Sequence, residues 1–365
     1  MLLDRSLRRE MARQFGASFT VLFSVVLTLM LLRVLGQASD GSVDPQDLFV
    51  LIGLACLSYL QFILGLALFL AVLMTYARMH RDSEMAIWGA AGVSPLRFFV
   101  IALRFAYPVL VAVTLLTLLV WPWANRQNAA LRDRFEQRSD LSRAAPGQFR
   151  QSASGRRVFF IGRGADAQGL ARDVFVRDVS DGRETVTLAR AASLQNLDGA
   201  RYLMLSDGTR YTHTIGQANY QITGFKQMGV RLSAITAPPA AALPAAVRLA
   251  HTPSREISSL MLALSAVPSW RGELSWRIGV PLSTLVLVLM AVPLAASNPR
   301  AGRAVQLVVA LLVYLTYLNF LNATQHWIDV GRIGLAGGLL WLHGSAAVVL
   351  LGAMLIKGML SWPRG

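Results

Sequence analysis

The chain has 365 residues, 54% of them hydrophobic and 15% charged, with a mean hydropathy of +0.48; this is too apolar for one soluble domain of that length and fits several membrane spans plus a polar domain. The formal net charge of +15 comes almost wholly from arginine, because lysine occurs only at Lys226 and Lys357. In so apolar a chain that excess points to anionic lipid and membrane orientation rather than to nucleic acid. A lone cysteine, Cys56, lies inside an apolar run, which excludes an intramolecular disulfide and reads as a small buried hydrophobe.

A span needs about 20 mainly apolar residues, and six stretches qualify: 14–36, 48–76, 98–123, 276–297, 304–325 and 333–356. They divide the chain into an N-terminal three-span part (1–123), a central polar part (124–275) and a C-terminal three-span part (276–365). The start "MLLDRSLRREMARQ" carries Arg5, Arg8, Arg9 and Arg13, which the positive-inside rule assigns to the cytoplasm. The loop "GQASDGSVDPQD" after the first span holds three aspartates and no lysine or arginine, so it is expected outside. Gly36-Gln37-Ala38 loosely resembles a signal-peptidase site, but the apolar stretch from Phe15 exceeds an ordinary signal core and favours an uncleaved first span. Arg33, near the outer end of that span, has a side chain long enough to reach the headgroup layer.

Arg78, Arg81 and Arg97 bring the strip "DSEMAIWGAAGVSP", Asp82 to Pro95, back to the cytoplasm. Asp82 or Ser83 is expected to cap a short helix over about 82–93, with Glu84 in its first turn. Gly89, Ala90, Ala91 and Gly92 keep its far end slim, and Pro95 stops it. Two readings stand: a slim helix that seats Met85, Ile87 and Trp88 in a partner's groove with Glu84 paired to a basic group there, or an interfacial helix that joins two spans.

From Pro146 to Leu232 the pattern changes to alternating runs such as "RDVFVRDV", "ETVTLARA" and "NYQITGF", punctuated by Asp181-Gly182, Asp198-Gly199 and Asp207-Gly208. This predicts hairpins and an antiparallel β domain of sandwich or jelly-roll type. His213 has no cysteine or carboxylate at metal-ligand spacing, and the aspartates read as turn formers. Residues 124–275 hold 20 lysines and arginines against 12 aspartates and glutamates, which suits either a solvated basic surface or an affinity for anionic groups. "TAPPAAALPAA" forms a stiff tether, and Thr252-Pro253 opens a helix over "SREISSLMLAL" that is expected at the membrane face. Glu273 and Arg277, at i, i+4 spacing, read as a structural pair. In the fifth span, Tyr314, Tyr317, Asn319, Asn322 and Gln325 either line a cavity or bond to neighbouring helices.

Arg300, Arg303, Lys357 and Arg364 complete the orientation: both termini are expected in the cytoplasm and the central domain outside. No carboxylate lies in the interior of an expected span, which counts against an ion-coupled transporter. Lys226 is followed by Gln and Lys357 by Gly, so neither completes a Walker A loop. No catalytic set and no metal motif is present in the sequence, and any work done must draw its energy from another subunit. The expected fold is an α-helical membrane protein with six transmembrane helices, three plus three, around a central antiparallel β jelly-roll domain.

Five segments in order, "LRVLGQASDG" (32–41), "DSEMAIWGAAGVSP" (82–95), "PGQF" (146–149), "ELSWRIGVPLS" (273–283) and "VPLAASNPRAGR" (292–303), resemble the LptF/LptG family of lipopolysaccharide export permeases. The three-domain-three plan matches that family along essentially the whole chain. The resemblance implies a permease that pairs with an LptG-like permease, is powered by an LptB-like ATPase dimer that uses ATP and magnesium, and binds no cofactor itself. It further implies a Gram-negative inner membrane, withdrawal of lipopolysaccharide from the outer leaflet, and delivery to periplasmic jelly rolls including an LptC-like bridge protein. By the same resemblance, Asp82, Ser83, Glu84, Met85, Ile87 and Trp88 belong to an ATPase-coupling helix with Glu84 as its ionic contact. Arg33 would meet lipid A phosphates through bidentate, charge-assisted hydrogen bonds. Two other classes stay in view: a membrane-anchored periplasmic sensor or scaffold, and an ABC permease for another lipid or a lipoprotein.

Overall fold

The computed structural model describes residues 2–39, 47–137, 149–151, 157–161, 171–180, 183–197, 200–214, 219–233, 252–296 and 303–359. The chain forms two compact units: Met1–Leu131 with Thr252–Gly365, and Arg132–His251. The helical unit contains α1 (Leu2–Ser39), α2 (Leu48–Arg81), α3 (Glu84–Ala90), α4 (Pro95–Leu115), a π-helical turn (Leu116–Val120), α5 (Trp121–Gln137), α6 (Ser259–Leu264), α7 (Pro268–Ala295), α8 (Arg303–Asp329) and α9 (Leu335–Ile356). Six helical stretches are long and apolar enough to cross a membrane, as the sequence predicts: Leu3–Ser39, Leu48–Arg81, Pro95–Leu131, Pro268–Ala295, Ala304–Asp329 and Leu335–Ile356.

Several helices outrun the apolar runs that announce them. An apolar run measures hydrocarbon thickness, whereas a helix continues until its backbone is capped or broken. Thus α1 takes in the arginine-rich start, where Leu3, Leu7 and Met11 recur every fourth residue and are buried against the bundle. Likewise α7 begins at Pro268, with proline in its first turn where its missing N–H costs nothing. The centre of the unit is α2 against α7, on which α1, α4, α8 and α9 pack. In both α2 and α7, 56% of the most apolar stretch is buried, against 6% in α1, so α1 is peripheral. Leu68, Phe69, Val72, Leu287, Val288 and Ala291 form the middle of the core.

In the π-helical turn the Thr117 hydroxyl donates to the Val113 carbonyl at 2.7 Å, and the carbonyl of Leu118 is free to accept from the Ser259 hydroxyl at 2.6 Å. The extra residue of a π turn releases a backbone acceptor, and here it receives the chain returning from the β unit.

That unit holds β1 (Phe149–Gln151), β2 (Arg157–Ile161), β3 (Ala171–Ser180), β4 (Arg183–Leu197), β5 (Ala200–Thr214) and β6 (Tyr220–Ser233), in one antiparallel sheet. The expected β domain is present; among the described residues its strands run in simple up-and-down order, without the crossovers of a jelly roll. Pairing extends to Ser180↔Arg183 and to Leu197↔Ala200, either side of Asp181-Gly182 and Asp198-Gly199, which themselves lie outside the described residues. The third expected turn is not one. Asp207-Gly208 lies inside β5, where Ser206 and Gly208 pair with both neighbouring strands and Asp207 between them sits at φ 52, and Gly208 leaves room for the Leu188 carbonyl and the Phe225 ring.

The tether "TAPPAAALPAA" and the arginines Arg300 and Arg364 lie outside the described residues. The helix expected over 254–264 is split into a 3₁₀ turn, Ser254–Glu256, and α6, because Ile257 and Ser258 are extended with ψ of 141 and 144.

Candidate functional site

Between α2 and α4 the strip 82–93 forms a helix shorter than predicted, Glu84–Ala90. Neither expected cap operates: Ser83 occupies the N-cap position in a left-handed backbone, φ 59, with no side-chain cap bond. Asp82 is instead the C-cap of α2, its N–H bonded to the Arg78 carbonyl at 2.9 Å. Arg78 organises the start of the strip. Its Nη1 donates to Asp82 Oδ2 at 2.9 Å and to Glu84 Oε1 at 2.6 Å; its Nη2 reaches Glu84 Oε2 at 3.3 Å and Glu10 Oε2 at 2.7 Å. Nε also bonds Glu10 Oε1.

The end of α3 is a Schellman motif: Gly92 N–H bonds Gly89 O and Val93 N–H bonds Trp88 O, both at 3.0 Å. Its left-handed position is Gly92, φ 80, where a side chain would be strained. Met85, Trp88 and Val93 pack against the bundle core, so two of the three expected anchors face inward. Ile87, 65% exposed, is the large apolar side chain α3 turns outward, among Ala86, Gly89 and Ala90.

Arg33 is exposed on α1, one residue before Val34, which is buried against Leu51. No hydrogen bond or ion pair holds its guanidinium among the described residues. The polar residues of α8 have mixed fates. Tyr314 donates to the Phe62 carbonyl at 2.9 Å, Tyr317 meets His343 Nδ1 at 2.8 Å, and Asn322 accepts from Trp276 Nε1 at 3.2 Å. These three knit α8 to α2, α9 and α7. Asn319 is exposed and bonds back to the Leu315 carbonyl at 2.9 Å, and Gln325 is half-buried. Between α8 and α9 an apolar groove of about 430 Å³ is lined by Leu312, Thr316, Tyr317, Phe320, Trp341 and Ser345, among others, so of the five polar residues singled out in this span Tyr317 borders it.

The expected Glu273–Arg277 pair is the hub of a larger knot. Arg277, with no exposed surface, donates to Glu273 Oε1 at 2.9 Å, to the Ile257 carbonyl and Ser259 Oγ at 2.9 Å, and to the Ser254 and Arg255 carbonyls at 3.2 and 3.1 Å. These bonds fall on the segment around the break at Ile257, where the Ser254 carbonyl also accepts from the Ile257 N–H at 3.2 Å. Glu273 also accepts from Trp121 Nε1 at 3.1 Å.

In the β unit, Val174, Val176, Ala189, Ala192 and Leu205 form a small core. The cross-strand pairs Phe149↔Phe160, Phe160↔Phe175 and Phe175↔Leu188 make an apolar row, beside which a groove of about 460 Å³ carries Asp173 and Arg190 at its rim. His213 stacks on Tyr220 at 4.9 Å and lies 3.8 Å from Glu184 across the sheet. No group of three or more potential metal ligands occurs among the described residues.

A profile of the family described as "Lipopolysaccharide export system permease LptF/LptG" matches residues 5–357. The chain is 30% identical over 318 residues, 86% of its own length and 82% of the relative's, to the "Lipopolysaccharide export system permease protein LptF" of Escherichia coli strain K12. Proteins of the same name from Escherichia coli O157:H7 and Shigella flexneri align at 30% identity over the same 318 residues. With a profile match over nearly its whole length and this degree of identity, the chain belongs to the LptF/LptG family of lipopolysaccharide export permeases.

Proposed function

We propose that the chain is the non-catalytic permease subunit of an ABC-type lipopolysaccharide exporter in the bacterial inner membrane, with both termini cytoplasmic and the β domain periplasmic. An LptG-like permease completes the membrane pair, an LptB-like ATPase dimer hydrolyses ATP with magnesium, and an LptC-like protein receives the lipid. The observation that carries this reading is α3. Its inner residues Met85, Trp88 and Val93 fasten it to the bundle, while Ile87 and the small residues Ala86, Gly89 and Ala90 face outward and Glu84, partly exposed, is held at its start by Arg78. A slim helix with one apolar knob and one carboxylate suits a groove with a basic group beside it.

In this reading, closure of the ATPase dimer pushes α3 and the spans joined to it, and the cavity shared with the partner permease shrinks. Lipid A is pressed upward, its acyl chains toward the apolar row at Phe149, Phe160 and Phe175. Arg33, exposed near the outer end of α1, meets the phosphates as a planar, bidentate donor. Asn319 is the polar residue of α8 best placed to face the lipid.

Removing one partner of a buried interfacial charge pair costs about 2–5 kcal/mol, roughly 30- to 4,000-fold in affinity. Glu84→Arg protein is therefore expected to lose its ATPase on purification and to stop releasing lipopolysaccharide from proteoliposomes. Retention of the ATPase with normal release would defeat the coupling role. Arg33→Glu is expected to abolish photocrosslinking of lipopolysaccharide from neighbouring positions while leaving the ATPase bound; unchanged crosslinking removes Arg33 from the path. Purification of the native chain with neither an ATPase nor lipopolysaccharide would favour the sensor or scaffold.

A further inference from the structure

Carboxylates from three elements converge on Arg78: Glu10 of α1, Asp82 after α2 and Glu84 in the first turn of α3. The cluster is graded in solvent access. The Glu10 side chain is 15% exposed and that of Arg78 28%, against 37% for Glu84 and 52% for Asp82. At the inner end Glu10 takes Nε and Nη2; at the outer end Glu84 takes Nη1 at 2.6 Å and, more loosely, Nη2 at 3.3 Å, and shares Nη1 with Asp82. A guanidinium is a rigid planar fork, so Glu84 cannot swing outward with its bonds intact unless the plane of Arg78 turns, and that turn is felt at Glu10.

α1 is suited to receive such a displacement. Among its described side chains only Leu3, Leu7, Met11 and Val34 are buried. The first three flank Glu10, so the Arg78 cluster sits where α1 is bolted to the bundle, at the opposite end of the helix from Arg33. One cation facing three carboxylates also leaves negative charge unbalanced at the outer end, and an approaching basic group would draw Glu84 toward it.

We propose that Arg78 is a positioning residue of the α3 strip: it presents the Glu84 carboxylate for docking and, through Glu10, relays the displacement of α3 to the first span. The relay rests on the reading of α3 as the element that docks an ATPase. Coupling between two sites through such a link amounts to about 5- to 150-fold.

The test uses the full exporter in proteoliposomes, with ATP hydrolysis, lipopolysaccharide release to an acceptor and thermal stability measured together. Glu10→Gln removes the charge and one of the two acceptors of the inner link and leaves Arg78 to hold Glu84. It is expected to keep its ATPase and its hydrolysis rate while release per ATP falls at least about fivefold. The exchanged pair Glu10→Arg with Arg78→Glu restores an ion pair between α1 and α2 but sets a carboxylate against Glu84. It is expected to recover melting temperature and not release per ATP; a purely structural role predicts recovery of both. Unchanged release per ATP in Glu10→Gln, loss of the ATPase from that variant, or full recovery in the exchanged pair would each overturn the relay. The docking reading is scored separately, by whether Glu84→Arg retains its ATPase.

Discussion

Replacing Arg277 by methionine tests the knot at the start of α7. The substitution keeps the aliphatic stem but removes every donor from a fully buried position, leaving Glu273 and the carbonyls of Ser254, Arg255 and Ile257 without their partner. Breaking one side of a buried ion pair costs about 3–5 kcal/mol. For a large domain 1 kcal/mol corresponds to about 2 °C, so the apparent melting temperature should fall by about 6–10 °C. Glu273→Gln is the milder change. It preserves shape and an acceptor for Trp121, and Arg277 keeps four neutral acceptors, so about 1–3 kcal/mol is expected. Tryptophan fluorescence at a fixed scan rate in one detergent suits the comparison, because Trp121 and Trp276 lie 5.0 Å apart beside the pair. If Arg277→Met melted within about 2 °C of the parent, or if Glu273→Gln fell further, the knot would not be a principal support of this end of the bundle.

Two further substitutions address the helices themselves. Gly92→Ala meets no steric neighbour but places a side chain at φ 80; a strain of about 1 kcal/mol should speed hydrogen exchange in residues 86–93 about fivefold while global melting is unchanged. Gly338→Val presses α9 on α8, since a Cβ there already sits 2.7 Å from Ile328 Cδ1 and 3.1 Å from Thr324 Cγ2. It should cost about 1–3 kcal/mol in detergent melts, with Gly338→Ala costing less because the Ile328 tip can turn aside.

The spans were legible because an apolar stretch long enough to cross a bilayer seldom serves any purpose but crossing one. The β unit was legible in its alternation. Asp207-Gly208 misled because the same dipeptide serves a strand where a neighbouring ring and carbonyl need the space of a missing side chain. The division of the α3 side chains was not legible: seven residues make two turns, too few for a periodicity to say that Trp88 faces in and Ile87 out. The Arg78 cluster was hidden for another reason, since Glu10 lies 68 residues upstream and nothing local marks it as a partner. Glu273 and Arg277 sit one helical turn apart and were legible as a pair, but the carbonyls that Arg277 captures near Ser254 and Ile257 belong to a segment whose helical pattern suggests they are already bonded.

The helical unit is discontinuous in sequence while the sheet is not, and this sets an order of events during synthesis. Each strand pairs with its immediate successor, so the sheet can grow hairpin by hairpin as the chain is made. The central helix pair cannot. About 190 residues separate Arg81 at the end of α2 from Pro268 at the start of α7, roughly 10–40 s of elongation at bacterial and eukaryotic rates. During that interval the N-terminal helices stand in the bilayer without the surface that will cover Leu68, Phe69 and Val72. Substitutions on the α7-facing side of α2 are therefore expected to show as lost abundance before they show as lost transport.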